Sequence, residues 1–141
     1  MNTKYLSGCP ISFALDLIGD RWSLLVLRDI MLWNKRFFDQ FAASAEGIST
    51  NILADRLKRL EAHGLVSRQQ DEINRRRYIY SPTEKALDLL PMILEMVIWS
   101  ASYDPNTGAP PETIDHMKND RDGYIAGVRE KFTRATAIQT R

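Results

Sequence analysis

The stretch from 49 to 68, STNILADRLKRLEAHGLVSR, constrains the fold of this chain more than any other segment. Ser49 is a favourable N-cap, and Leu53, Leu57 and Leu60 follow at a spacing that places them on one face of a helix. Gly64 can adopt the left-handed conformation with which many helices end. The stretch therefore predicts an amphipathic helix that packs on a core through its leucines and leads directly into a strand.

Two neighbouring segments give this helix a context. Upstream, NKRFFDQFAAS predicts a short helix near residues 37–44, which AEG separates from Ser49. Downstream, LVSRQQ and RRYIYS have the β-branched and aromatic residues of strands, with the turn-prone DEIN between them. Two helices joined by a short glycine-containing turn are typical of a helix-turn-helix, and the hairpin that follows is typical of a wing.

Helices are also predicted before this motif. CPISFALDLIG has an apolar helical face. Asp20 is a good N-cap for the next helix, RWSLLVLRDIML, which is apolar on most sides. We expect that helix to lie centrally and to bring Arg21, Arg28 and Asp29 to the surface.

A long helix is predicted after the hairpin. Thr83 should cap EKALDLLPMILEMVIWSAS, which Pro91 should bend. We therefore predict a mainly α protein with a small β-hairpin wing, a dimeric winged helix-turn-helix. Residues 1–103 form its DNA-binding domain, including N-terminal and long C-terminal dimerisation helices, and residues 104–141 form a loop and helical tail of uncertain role.

Composition excludes several classes of protein. The chain has 141 residues, a formal net charge of +1 and a single cysteine, Cys9, so it cannot form a disulfide within itself. The N-terminal residues lack the apolar core of a signal peptide, and PMILEMVIW is too short to span a bilayer. We expect a soluble cytoplasmic protein with no membrane partner.

The sequence shows no pattern of catalytic residues that would indicate an enzyme. His63, His116 and Cys9 lack metal-ligand spacing, and no glycine-rich phosphate loop is present. Neither a nucleophile with its base nor a pair of carboxylates can be singled out. We therefore expect no enzymatic activity, no metal and no cofactor.

Basic and polar residues gather on the remaining faces of the 49–63 helix and on the hairpin. Polar outer faces are general among helices, so a merely solvated surface is the alternative at this stage. Between 49 and 81, however, seven Lys or Arg residues stand against four Asp or Glu. Arg75, Arg76 and Arg77 follow one another near the hairpin tip, where arginines could meet DNA phosphates across a minor groove.

These segments together resemble the HxlR-type winged helix-turn-helix transcriptional regulators, relatives of the MarR group. The matching stretches, over roughly residues 9–99, are CPISFALDLIGDRWSLLVLRDI, RFFDQF, GISTNILADRLKRLEAHGLVSR and RRYIYSPTEKALDLLPMILEMVIW. One departure is SPTEKA, where Pro82 replaces an apolar residue that the family commonly has. The resemblance implies a dimeric regulator, often a repressor, that binds a pseudo-palindromic double-stranded DNA operator.

The resemblance also implies particular DNA contacts. Base and backbone contacts are expected around the start and outer face of the 49–63 helix, before the aromatic helix and in the wing. The full set, to which Lys58, Arg75 and Arg76 are added on charge alone, is Arg36, Ser49, Thr50, Asn51, Arg56, Lys58, Arg59, Arg75, Arg76 and Arg77. The hydroxyl of Ser49 has a competing use as the helix cap.

The signal that such a regulator would sense is less constrained. From the residues alone, Cys9 is most simply a small buried hydrophobe. The resemblance implies a second role, because several members of the family sense electrophiles or oxidants with a cysteine at this position. A helix start after Cys9 could favour its thiolate. Trp22 and Trp99 could line a pocket for a small ligand, although packing in the core or dimer is the simpler use of such residues.

Two considerations favour a homodimer. A lone winged helix contacts a short site, whereas two subunits place recognition helices in successive major grooves about 34 Å apart. Apolar helices at both ends of the predicted domain would leave apolar surface on a monomer. The alternative function is a winged-helix module that binds an acidic protein partner without reading DNA sequence.

Overall fold

A computed structural model describes the backbone of residues 7–139 and the side chains of residues 7–133. The residues considered for a signal peptide lie largely outside this range. The described chain contains eight helices and one antiparallel hairpin, in the order α1 to α4, β1, β2 and α5 to α8. It divides between Thr83 and Glu84 into two compact units. The predicted fold class, mainly helical with a hairpin wing, is confirmed.

The first unit begins with two helices that contact each other. α1 spans Pro10–Ile18, with Cys9 at its N-cap, and α2 spans Arg21–Met31. Asp20 caps α2 as predicted, because its carboxylate accepts hydrogen bonds from the Ser23 backbone N–H at 3.1 Å and from Ser23 Oγ at 2.6 Å. α2 lies centrally, in contact with the helix and the strand that form the predicted site.

The helix-turn-helix consists of α3, Phe38–Ala42, and α4, Thr50–Ala62. Ser49 Oγ caps α4 by accepting from the Ile52 N–H at 3.2 Å. The end of α4 is a Schellman motif, in which Leu65 N–H donates to Leu60 O and Gly64 N–H donates to Glu61 O. Gly64 has φ +73°, so the predicted left-handed end of this helix is confirmed.

The wing is the hairpin of β1, Val66–Gln70, and β2, Tyr78–Pro82. Its register pairs Val66 with Pro82 and Gln70 with Tyr78. Tyr80 is buried and meets the ring of Phe41 edge to face at 5.9 Å. This contact attaches the hairpin to the core in which Leu53, Leu57 and Leu60 of α4 are buried. Other buried residues of this unit are Leu27, Ile30, Met31, Leu65 and Val66.

The second unit is helical. Its elements are α5, Glu84–Leu87; α6, Leu90–Tyr103; α7, Pro111–Asn119; and α8, Arg121–Gln139. Pro91 lies in the first turn of α6, where its missing N–H costs no helical hydrogen bond, and the predicted bend is a break between α5 and α6. α6 contacts both α7 and α8.

The predicted helical tail contains two helices, α7 and α8, in the part that the structure describes. Asp120 separates α7 from α8, and its carboxylate accepts from the Gly123 N–H at 3.1 Å. Met117, Val128 and Phe132 are buried. Because α7 and α8 pack with α6, the compact units divide after Thr83 instead of after residue 103. The predicted division of function at 103/104 stays a prediction.

The span Glu84–Tyr103, which contains α5 and α6, is longer than the apolar run PMILEMVIW. By length and composition alone it could cross a membrane. Core helices of soluble proteins pass the same test, so this property carries little weight.

Candidate nucleic-acid interface

The outer face of α4 carries the predicted base-reading residues. Thr50 and Asn51 in its first turn are exposed, as are Lys58 and Arg59 further along, while its leucines are buried on the opposite side. The first turn also presents unpaired N–H groups and the positive end of the helix dipole. This part of α4 can therefore donate hydrogen bonds and attract anions. Ser49 Oγ, by contrast, is engaged as the cap.

Arg56 has a different environment from the other cations of α4. Its Nε donates to Asp20 Oδ2 at 2.7 Å, and its Nη1 donates to Asp55 Oδ2. Burial alone would raise the pKa of Asp20, but hydrogen bonds from Ser23 and Arg56 lower it. The Arg56 guanidinium thus connects the recognition helix to the N-cap of α2, and DNA contact by Arg56 stays a prediction.

The wing loop, residues 71–77, presents two arginines and uses a third to hold its shape. Arg75 and Arg76 are exposed. Arg77 Nε donates to Asp71 Oδ2 at 2.6 Å, and its guanidinium lies 3.8 Å from the centre of the Phe37 ring. The hydrogen bond from Arg77 lowers the pKa of Asp71, which is buried. Arg77 therefore braces the loop, and its predicted DNA contact stays untested.

Arg36 lies beside the wing. Its backbone O accepts from the Tyr80 N–H at 2.8 Å, so it is attached to the edge of β2. Its guanidinium Nη1 donates to Ile30 O at 2.8 Å and to Lys35 O at 3.0 Å, and burial lowers the pKa of this group. These contacts give Arg36 a role in the scaffold, whether or not it also meets a phosphate.

A charged cluster beneath the helix-turn-helix corrects one expectation. Asp29 does not reach the surface: it is 2% exposed. Its Oδ1 accepts from Arg28 Nη2 at 2.8 Å, and its Oδ2 accepts from Ser44 Oγ at 2.6 Å and lies 3.7 Å from Lys35 Nζ. Asp29 is buried because Ser44, in the turn before α4, and Lys35 fold over the end of α2.

The same cluster extends into the turn that sets the start of α4. Arg28 Nη1 donates to Glu46 Oε2 at 2.7 Å, and its guanidinium also lies 3.8 Å from the centre of the Trp33 ring. Hydrogen bonds from Arg28 lower the pKa of Glu46 to about 2. Sequence reasoning missed this cluster, and its only local signal was the adjacent Arg28-Asp29 pair at the end of an apolar helix.

The candidate sensing residues belong to three different helices or their caps. Cys9 is exposed at the N-cap of α1, and its backbone N–H donates to Ser7 Oγ at 3.2 Å. Trp22 is half-buried beside the Arg21 guanidinium. In the second unit, Trp99 is 67% exposed and contacts the Tyr103 ring. In the described part of the chain, no group of three or more His, Cys, Asp or Glu side chains could hold a metal ion.

The described residues form a helix-turn-helix whose second helix exposes its first turn, and a wing with exposed arginines follows it. These features define the winged helix-turn-helix class of DNA-binding proteins. The family model for HxlR-like helix-turn-helix proteins matches residues 17–107. The chain belongs to this family. Cys9 lies outside the matched residues.

Similar proteins agree with this assignment. The helix-turn-helix-type transcriptional regulator Rv3095 of Mycobacterium tuberculosis is 34% identical over 109 residues, which cover 77% of this chain and 68% of that protein. The crystal structure of PA1607, described as a candidate transcription factor, has a TM-score of 0.68 at 31% identity and covers 77% of this chain and 75% of its own. The redox regulator HypR in its reduced form has a TM-score of 0.59 at 32% identity. The match covers 69% of this chain and 95% of the HypR chain. The family comprises transcriptional regulators, and this chain is a transcriptional regulator of helix-turn-helix type.

Proposed function

We propose that this protein is a cytoplasmic, homodimeric repressor that binds a pseudo-palindromic DNA operator and is released by a chemical signal. The observation that carries the proposal is the exposed first turn of α4, where Thr50 and Asn51 stand free of the core. A repressor of this kind would block RNA polymerase by occupying its operator.

Asn51 is the residue that we assign to base readout. An asparagine amide both donates and accepts, so it can pair with adenine through two hydrogen bonds in the major groove. Thr50 can add a hydrogen bond or meet a thymine methyl group. Because the opposite face of α4 is buried against α2 and β1, these side chains have a rigid support.

Arg75 and Arg76 are assigned to the phosphates. They stand exposed on a loop that Asp71 and Arg77 brace, and phosphate contacts supply affinity that depends on salt but not on sequence. Lys58 and Arg59 are exposed on α4 and can add similar contacts.

The proposed dimer rests on apolar surface in each unit. On α1, Ile11 and Leu15 are 71% and 59% exposed. On α6, Met96, Trp99 and Tyr103 are 49%, 67% and 74% exposed. A second copy of the chain would remove this surface from water and would place two recognition helices one turn of DNA apart. A monodisperse monomer in light scattering at micromolar concentration would contradict the dimer.

The proposed signal acts on Cys9. Its exposure gives access to oxidants and electrophiles, and no second cysteine exists in the chain. Oxidation would remove two electrons and two protons from two thiols and join Cys9 either to its counterpart in the second subunit or to a small thiol. The alternative is a non-covalent ligand near Trp22 or Trp99.

The experiment compares two variants on DNA from upstream of the coding sequence, against excess random competitor. Asn51→Ala should weaken selective binding by about tenfold or more and leave random DNA unaffected. Arg76→Ala should weaken both by a similar factor and lower the salt dependence. Equal effects of both variants on both DNAs would contradict base readout by Asn51. Absence of any selectivity would favour the module that binds an acidic protein partner.

The thiol step has its own test on the same DNA. Diamide should abolish selective binding by the wild type and leave Cys9→Ser unaffected. Selective binding that diamide does not change would contradict thiol gating and would favour regulation by a non-covalent ligand.

A further inference from the structure

Ile73, at the tip of the wing, has no place in the function described so far. It is 95% exposed, the highest exposure among the large apolar side chains that the structure describes. Single exposed apolar residues are common on protein surfaces and need no explanation by themselves. Ile73 differs in its setting, because Arg75 and Arg76 stand two and three residues away on the same loop.

The loop holds Ile73 in a defined position. Its backbone N–H donates to Asp71 Oδ1 at 3.0 Å. On the other side, Asn74 accepts from the Arg77 N–H at 3.1 Å and, through its side chain, from the Arg76 N–H at 3.2 Å. Gln70 Nε2 donates to Arg75 O at 2.7 Å and closes the loop.

These contacts have a consequence for binding. A loop that is already ordered pays little conformational entropy when it meets a partner, so an apolar side chain at its tip can be used efficiently. None of the contacts uses the Ile73 side chain, and a polar residue would satisfy the same backbone hydrogen bonds. The isoleucine side chain therefore adds exposed apolar surface at the tip of the wing and does not stabilise the loop.

We propose that Ile73 enters the DNA minor groove as an apolar wedge, with Arg75 and Arg76 beside it on the same loop. Branched apolar side chains that enter the minor groove partly unstack a base step, and arginines are attracted to the potential of that groove. Steps that open easily, such as TA and CA, would then be preferred under the wing. The wedge gives the wing a preference for deformable sequence, which phosphate contacts alone cannot supply.

This inference rests on the proposed function, and its test separates the two. The probe is a duplex that the wild type enriches from a random pool, with 2-aminopurine placed at the step beneath the wing. The wild type should raise the 2-aminopurine fluorescence on binding, because the step is unstacked. Ile73→Ala should bind this duplex about tenfold more weakly without that rise, and the slope of log Kd against log salt should not change.

Two control variants sharpen the result. Ile73→Leu keeps an apolar wedge and should keep both affinity and fluorescence. Arg76→Ala should lower the salt slope and keep the fluorescence change at saturation. If Ile73→Ala binds within twofold of the wild-type affinity and shows the same fluorescence rise, the wedge proposal is wrong, whereas the proposed DNA-binding function still stands. Failure of the wild type to enrich any duplex would overturn both.

Discussion

Replacing Asp29 with alanine tests the charged cluster that holds the helix-turn-helix. The carboxylate accepts from Arg28 at 2.8 and 3.1 Å and from Ser44 Oγ at 2.6 Å, and its side chain is 3% exposed. Removing one partner of a buried ion pair costs about 3–5 kcal/mol when the other is left uncompensated. Arg28 keeps Glu46 and Trp33, so we expect Asp29→Ala to lower the free energy of unfolding by about 2–4 kcal/mol.

The matched control is Glu46→Gln, which removes the negative charge of the more exposed partner of the same arginine. Its side chain is 24% exposed, so we expect a loss of only about 1 kcal/mol. Urea unfolding followed by tryptophan fluorescence measures both, and the dependence of the free energy on urea should stay unchanged. A change below about 0.5 kcal/mol for Asp29→Ala, or an equal loss in the control, would refute the reasoning.

Three further predictions concern pH, backbone and core. Because hydrogen bonds from Arg28 lower the pKa of Glu46 from 4.5 to about 2, its contribution is present above pH 4.5 and is lost as the pH falls towards 2. Between pH 5 and 3 the wild type should therefore lose about 1 kcal/mol more stability than Glu46→Gln in urea titrations, and equal losses would contradict this. Gly64→Ala should lower the free energy of unfolding by about 1–2 kcal/mol in thermal unfolding, since φ is +73° there. Gly127→Ala, in open space within α8, should raise it by about 0.5–1 kcal/mol. Changes of the same sign for both variants would contradict this argument from backbone conformation. Leu57→Ala should cost about 2–5 kcal/mol by urea unfolding, and a loss under 1 kcal/mol would show that the stripe is not core.

Sequence reasoning succeeded where the deciding interactions are local. Asp20 and Ser49 cap helices through N–H groups three residues away, and Gly64 ends α4 through its own φ angle. The leucine stripe and the hairpin follow from periodicity, which depends only on neighbours along the chain. These signals were enough to predict the winged helix-turn-helix.

Sequence reasoning missed contacts whose partners are distant in the sequence. Asp29 was expected at the surface, but Ser44, 15 residues later, folds over it. Arg56 was grouped with the other cations of α4, but its partner Asp20 lies 36 residues earlier. A charge pattern cannot tell whether a guanidinium meets solvent or a carboxylate of the same chain, so the ion pairs of Arg56 and Arg77 became apparent only in the structure.

Selection from a pool of random duplexes tests the central claim most directly. The wild type should enrich an inverted repeat with half-site centres about 10 base pairs or a multiple apart, and Asn51→Ala should lose preference at one position of each half-site. Enrichment of no motif, or of the same motif with equal affinity by Asn51→Ala, would contradict sequence reading by the first turn of α4.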